Sequence, residues 1–181
     1  YPIDTSYYDN EKHTQADALS VIPFMDEMNY EGLSVSGLSD GYYGLTIGRE
    51  FIGRFTAREL ERGINMALLQ NTPQYKQAMK IRQMNEERWL KERKMREFYW
   101  VEYNLMRKTG MLWACDEAAV DTLRKYRPHD IFLQWNGDLW LQYMHKGIRE
   151  DCVNEQQDLV NRIYEQNKPI PLRIEIKKFT D

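Results

Sequence analysis

Serines and histidines are the side chains of this sequence that could supply a nucleophile and a general base, and their spacing assembles no such pair. No histidine has a second histidine or a cysteine three or four residues away, as a helical metal-binding or catalytic pair would require. The histidines are His13, His129 and His145, and the serines are Ser6, Ser20, Ser34, Ser36 and Ser39. There is no Walker loop and no GxGxxG motif. We therefore expect no ester hydrolysis by this chain alone, no cofactor and no metal site.

One serine lies in a segment with the letters of a nucleophile elbow, Gly37-Leu38-Ser39-Asp40-Gly41. An elbow needs a strand before the serine and a helix after it, so that the hydroxyl is exposed on a strained turn. Here apolar residues alternate with a period of two on both sides of the segment, which indicates two strands. Serine, aspartate and glycine are also typical turn residues. We interpret the segment as a hairpin turn.

Aromatic side chains are the main candidates for ligand contacts. The sequence contains five tryptophans and twelve tyrosines, and Trp135, Trp140 and Tyr143 are close enough along the chain to form one sugar-stacking surface. Aromatic residues on paired helices also commonly belong to a hydrophobic core. From the sequence, both a glycan-binding surface and a core position stay open for these three residues.

The two cysteines, Cys115 and Cys152, belong to no CxxC pair and to no cluster with histidine, so they predict no zinc site. They could form a disulfide if two helices bring them together. Two free thiols are an equally ordinary outcome for cysteines in a folded protein.

Composition excludes several classes of protein. A hydrophobic fraction of 42% is too high for a disordered chain. A net charge of -3 and a pI near 5.7 argue against a dedicated nucleic-acid binder. No apolar run approaches the roughly 20 residues that span a bilayer. The 181 residues are enough for a folded domain with a core.

Periodicity predicts a small β-sheet in the first third of the chain. Residues 1–18 show no period and indicate a loop or an extended arm, and Pro23 restricts any strand within 19–30 to a short or edge position. Alternating apolar residues predict strands at 33–35, 43–47 and 51–55. The tail at 172–176 alternates again and predicts a final strand or extended arm.

Long helices are predicted after the sheet. Thr56-Ala57-Arg58-Glu59 has the form of a capping box, and we expect its helix to continue through residue 68 with Gly63 inside it. A second helix starts at Pro73 and meets no further glycine or proline before Gly110. The remaining predictions are a short helix at 116–126, a loop at 134–137 and a long helix from Asp138 to Asn167.

These elements predict an α+β fold with a three- to four-stranded antiparallel sheet and a long antiparallel helical hairpin. The short helix would lie at the tip of the hairpin. We assign the arm and sheet to residues 1–55 and the helical region with its tail to residues 56–181, as one folded unit.

Four segments of the chain together form a recognisable pattern. They are L-S-V-S-G-L-S-D-G-Y-Y-G-L-T-I-G at 33–48, F-T-A-R-E-L-E-R-G-I-N-M-A at 55–67, N-T-P-Q-Y-K-Q-A at 71–78 and the tail Lys168-Pro169-Ile170-Pro171. This combination resembles the C-terminal part of secreted bacterial SGNH/GDSL-type hydrolases of the Bacteroidetes group, over about residues 30–181. Gly48-Arg49 departs from the D-G pair of that pattern. The GDS, GxND and DxxH blocks that carry the family's catalytic residues have no counterpart here.

The resemblance implies a non-catalytic accessory region of a secreted or periplasmic ester hydrolase. Its implied partner is the SGNH catalytic domain of the same precursor, which it would pack against or whose access it would shape, and the implied substrate is a carbohydrate ester. Asn65 matches the Asn of the family's G-(I/V)-N segment, and if that segment faces the catalytic domain, Asn65 is the implied polar contact to it. The alternative for Asn65 is a helix residue that is hydrogen-bonded to the hairpin. Because the chain begins at Tyr1, we expect a processed chain or an excised fragment. The alternative is a stand-alone module that binds glycan or a partner protein through the helical hairpin.

Overall fold

The computed structural model describes residues 2–3 and 14–179, and its architecture confirms the predicted α+β class. The chain forms two compact units. The first unit contains the described residues up to Ile81 and those from Asn167 onwards, and the second unit is Arg82–Gln166. The predicted division at residue 55 falls inside the first unit. Most of the predicted arm at 1–18, including His13, lies outside the described residues.

Among the described residues before the first strand, residues 19–30 contain two short helical segments and no strand. A 3-10 helix spans Gln15–Ser20, and a short helix, α1, spans Phe24–Glu27. The segment in which any strand was limited to a short or edge position therefore forms no strand. Pro23 precedes the first residue of α1, where a fixed φ and a missing N–H suit the start of a helix.

Two small antiparallel sheets form the first unit. One has the strand order β3-β2-β5, and the other pairs β1 with β4. The strands are β1 (Gly32–Leu33), β2 (Tyr42–Ile47), β3 (Glu50–Thr56), β4 (Ile64–Asn65) and β5 (Ile174–Lys178). Tyr43, Leu45 and Ile47 of β2 are buried, as the period of two predicted, and Gly44 between them is buried as well. The tail is confirmed as a strand, but Leu33 pairs with Ile64 and not with the larger sheet.

The capped helix is shorter than predicted. The capping box is present, since the Glu59 N–H donates to Thr56 Oγ1 at 3.2 Å and the Thr56 N–H donates to Glu59 Oε2 at 2.7 Å. However, α2 is only Ala57–Arg62, and Gly63 ends it at a φ of 93°. Glycine adopts this conformation at little steric cost. Gly63 is therefore the helix terminator that turns the chain into β4.

Four α-helices contribute to the second unit, and the first of them begins within the first unit. The helix predicted from Pro73 is α3, Pro73–Val101, and a π-helical turn at Glu102–Met106 continues it. The other helices are α4 (Glu117–Tyr126), α5 (Ile131–Tyr143) and α6 (Lys146–Gln166). Their core holds large, fully buried side chains, among them Phe98, Met106, Leu123 and Trp140.

The predicted loop at 134–137 is wrong, because these residues lie inside α5. Asp130 caps the helix by accepting hydrogen bonds from the N–H groups of Phe132 and Leu133. Glycine suits position 137 because the Arg127 side chain leaves little room for a larger residue. A Cβ atom there would lie only 3.2 Å from it. That guanidinium forms a bidentate pair with Asp138, at 2.6 and 2.7 Å. The single long helix predicted from Asp138 is in fact two helices.

Helices α3 and α6 run antiparallel, which confirms the predicted hairpin. The Arg149 guanidinium lies 4.8 Å from the centre of the Phe98 ring, and Lys91 Nζ lies 2.6 Å from Glu155 Oε2. Residue numbers thus fall along one helix as they rise along the other.

Both cysteines are free thiols, Cys115 exposed and Cys152 buried. No described helix combines the length and apolarity needed to cross a membrane.

Candidate binding site

A strained tryptophan marks the most unusual position of the second unit. Trp113 has a φ of 65°, and among the described residues no other non-glycine residue has a positive φ. A left-handed conformation costs an L-residue roughly 1–2 kcal/mol. The indole is 46% exposed, so burial of the ring does not by itself explain the conformation. Such strain is concentrated at functional sites when the surrounding structure maintains it.

A buried carboxylate holds this tryptophan in place. Glu102 is only 1% exposed, and its two oxygens accept hydrogen bonds of 2.9 Å from the Trp113 backbone N–H and from Trp140 Nε1. A buried carboxylate without such donors would be strongly destabilising. Glu102 begins the π-helical turn, and such turns are frequent at functional sites. Glu102 therefore connects the core of the unit to the position of an exposed indole.

Two tyrosines surround the indole. The ring centres of Tyr99 and Tyr103 lie 6.1 and 6.0 Å from that of Trp113, with interplanar angles of 87° and 86°. These are favourable edge-to-face geometries, worth about 0.5–1.5 kcal/mol each beyond burial. Tyr99 and Tyr103 are 39% and 45% exposed. The three rings, which we call the Trp113 cluster, form an ordered aromatic patch at the surface.

Two rings of the Trp113 cluster, those of Tyr99 and Trp113, border a groove of about 580 Å³ between α3 and α6. Met95 and Val153 are its apolar lining residues. Its polar lining includes Lys146, Glu150 and Asn154, which are spaced four residues apart and so lie on one face of α6. The groove therefore combines an aromatic wall with a row of hydrogen-bonding side chains.

Arg149 also lines the groove, and its guanidinium is bonded to the end of α5. Arg149 donates to the carbonyl oxygens of Tyr143 and Met144, at 2.6 and 2.7 Å, and so satisfies the end of α5. Burial, followed by the hydrogen bond with Cys152, raises the pKa of Tyr143 to about 12. Tyr143 therefore stays a neutral phenol at ordinary pH.

The structure separates the three aromatic residues that the sequence proposed as one surface. Trp140 is fully buried and Tyr143 is 6% exposed, so neither presents a ring face to a sugar. Trp135 is 67% exposed, and its ring packs edge-to-face with that of Phe132, which in turn packs on Trp100. Only Trp135 of the three retains an accessible ring.

Asn65 organises its own unit. Its side-chain oxygen accepts hydrogen bonds from the N–H groups of Glu31 and Ala67, both at 3.0 Å. Its amide group donates to the carbonyl oxygens of Met25 and Asn29, at 2.8 and 3.1 Å. These four bonds use the usual hydrogen-bonding capacity of the side chain. Asn65 is thus a structural connector within the first unit.

The only serine–lysine contact among the described residues involves the serine of the elbow-like segment. Lys178 Nζ donates to Ser39 Oγ at 2.8 Å, and the Tyr43 hydroxyl lies 3.1 Å from the same oxygen. A catalytic lysine base is activated by a desolvated pocket, whereas Lys178 and Ser39 are both exposed. The φ of Ser39 is not positive, so the strained turn of an elbow is absent.

Sequence reasoning missed both Glu102 and Trp113. A signal for Glu102 was present, because it lies four residues after Phe98 and four before Met106 in the apolar stripe of the long helix. A carboxylate in such a stripe needs a buried donor. The sequence carries no comparable signal for the backbone conformation of Trp113.

Comparison with known proteins relates the chain to a hydrolase. Residues 79–168 match the family described as the diltiazem deacetylase C-terminal helical domain, and this range nearly coincides with the second unit. The solved structure of a gut microbial diltiazem-metabolizing enzyme is 38% identical and superposes with a TM-score of 0.89. That alignment covers 99% of this chain but 40% of the solved chain. No curated protein matches.

These comparisons extend the likeness beyond the helical unit. The family match includes Glu102, Trp113 and the groove, whereas the structural match also covers the two sheets of the first unit. Because the chain spans only 40% of its solved neighbour, the larger part of that enzyme has no counterpart here. Within residues 2–3 and 14–179, no cluster of histidine, cysteine, aspartate or glutamate could hold a metal ion.

Proposed function

We propose that the chain is the non-catalytic C-terminal accessory region of a secreted or periplasmic ester hydrolase that removes acetyl groups. The observation that carries this proposal is the coincidence of the second unit with a C-terminal helical domain of a deacetylase. The partner is the catalytic domain of the same precursor, against which the chain packs or whose access it shapes. We assign that domain to the SGNH/GDSL type from the sequence resemblance, with a carbohydrate ester as substrate.

The chemistry of the described residues supports the accessory role. A hydrolase of this kind needs a nucleophile, a base within hydrogen-bond reach and donors for the oxyanion. Ser39 and Lys178 meet only the distance criterion, at 2.8 Å, and both are exposed to solvent. A charged lysine amine is a donor and cannot take the proton of the serine.

Hydrolysis of p-nitrophenyl acetate by the purified chain tests the proposal, with Ser39→Ala as the matched variant. We expect equal rates for both proteins, indistinguishable from the buffer. Saturable turnover that disappears in Ser39→Ala would refute the accessory role and assign catalysis to this chain.

The precursor gene offers a second test, since it should encode an adjoining region of domain size, on the order of 200 residues, with a GDS block. Fractionation of the producing cells tests the proposed location, and we expect the protein in the secreted or periplasmic fraction.

A second role is favoured by the exposed Trp113 cluster. A stand-alone binding module would contact a glycan or a partner protein through the helical hairpin, and the groove between α3 and α6 lies on that hairpin. The two roles are separable by experiment. The accessory role predicts that the chain affects ester hydrolysis by the catalytic domain, whereas the binding role predicts that the chain itself binds a glycan or a partner protein.

A further inference from the structure

We propose that the groove beside Trp113 binds a neutral, hydroxyl-rich ring, as in the pyranose units of a glycan. This inference rests on the binding role and not on the accessory role, so each can fail without the other. It differs from the sugar-stacking surface predicted around Trp135, which places the ligand on other residues.

The first argument is the preorganisation of the indole. Trp113 is held at a φ of 65° by its N–H bond to buried Glu102, and its ring contacts two tyrosine rings at about 6 Å. An indole that is already ordered loses little side-chain entropy when a ligand stacks on it. A fold without a use for this ring could relieve the strain with glycine at the same position.

The second argument is the chemistry of the facing helix. Lys146 presents an ammonium donor, Glu150 a carboxylate acceptor and Asn154 an amide that both donates and accepts. Lys146 Nζ lies 3.3 Å from Glu150 Oε1, so the charges of this row compensate each other. The row has no net charge, and the guanidinium of Arg149, which also lines the groove, already donates to two carbonyl oxygens. The combined donors and acceptors of the row match hydroxyl groups, which also donate and accept.

The third argument is the division of the groove into an apolar side and a polar side. The face of a pyranose ring carries C–H groups, and its rim carries hydroxyls. The negative face of an indole attracts the weakly positive C–H face, while the Lys146–Glu150–Asn154 row is placed for the rim. A ligand site that is mostly apolar with a few placed polar groups has the ordinary composition of a small-molecule site.

Other ligand classes fit less well. A carboxylate ligand would find Lys146 already paired with Glu150, and Arg149 already bonded to two carbonyl oxygens. A cationic ligand would meet two basic side chains, Lys146 and Arg149, in the lining of the groove. A purely apolar ligand would cover the polar row and leave its donors and acceptors without hydrogen-bond partners.

Isothermal titration calorimetry tests the proposal with maltohexaose, cellohexaose, xylohexaose and chitohexaose as probes. We expect saturable binding of at least one oligosaccharide to the 181-residue chain. Trp113→Ala should weaken the Kd at least tenfold, as expected for loss of a stacking contact, and Asn154→Ala should weaken it several-fold. Trp89→Ala is the matched control, because Trp89 is 47% exposed and lies outside the groove. Its Kd should stay within twofold of the unmodified chain.

Folding of every variant is verified by circular dichroism, and Asn154→Ala provides the test if Trp113→Ala does not fold. Lack of binding by all four probes overturns the proposal. So does an equal loss of affinity in Trp113→Ala and Trp89→Ala. Binding that is lost in Trp135→Ala but kept in Trp113→Ala would place the glycan on the Trp135 surface and overturn the assignment to the groove.

Discussion

Replacing Trp113 with glycine should leave the protein more stable than replacing it with alanine. Both changes remove the indole, and both keep the backbone N–H that donates to Glu102, so their difference isolates the backbone conformation. A left-handed φ costs alanine about 1–2 kcal/mol. Glycine avoids that cost but loses about 0.5–1 kcal/mol through its more flexible unfolded chain. The middle values of these ranges give a free energy of unfolding roughly 0.8 kcal/mol higher for Trp113→Gly.

Urea unfolding followed by circular dichroism measures this difference. With a slope of about 2 kcal/mol per molar urea, the midpoints should differ by roughly 0.4 M. The matched control is the same pair of changes at Leu90, an exposed residue inside α3. There Gly should be less stable than Ala by about 1 kcal/mol, because a helix interior disfavours glycine. If glycine is also the less stable variant at position 113, the strain argument for the site is refuted.

Three further changes test other parts of the structure. Glu102→Gln keeps the side-chain size but presents an N–H group to one of two buried donors. Thermal melts should therefore show that the free energy of unfolding falls by about 1–3 kcal/mol. An unchanged melt would mean that water reaches this carboxylate. Leu159→Ala should lower the free energy of unfolding by about 2–5 kcal/mol, and Leu90→Ala should lower it by less than about 0.5 kcal/mol. Equal urea midpoints for the two variants would mean that the helix faces are misassigned. The hydrogen bond from Lys91 lowers the pKa of Glu155, so the pair stabilises the fold above the ordinary carboxyl pKa and loses this effect as pH falls through the lowered value. Glu155→Gln should flatten stability in that acid range, and identical acid titrations of both proteins would contradict the pairing.

Local patterns predicted those parts of the fold that depend on neighbouring residues. The alternation in β2 and the Thr56–Glu59 capping box appear in the structure as expected. Asp116 caps α4 by accepting from the Ala119 N–H, at the start predicted for the short helix. Each of these features is decided within a few residues of the chain, where periodicity and capping chemistry are informative.

Features that depend on distant residues could not be predicted in the same way. Gly137 predicted a loop, yet it lies within α5, where the distant Arg127 side chain occupies the space that a Cβ atom would need. The bond between Trp140 and Glu102 joins residues 38 positions apart, so the core role of Trp140 is invisible to local spacing. The groove itself arises from the antiparallel approach of α3 and α6, and no segment of either helix identifies it alone.

The pairing of β5 with β2 has a consequence for the order in which the protein can fold. Leu45 pairs with Ile176, and the whole second unit lies between these two residues in the sequence. During synthesis, the larger sheet must wait for its edge strand until the helical unit has left the ribosome. The helical unit is continuous and can form before the sheet closes, and domains commonly fold as such units. A preformed insert also shortens the flexible loop that the strands must close, which lowers the entropic cost of pairing them.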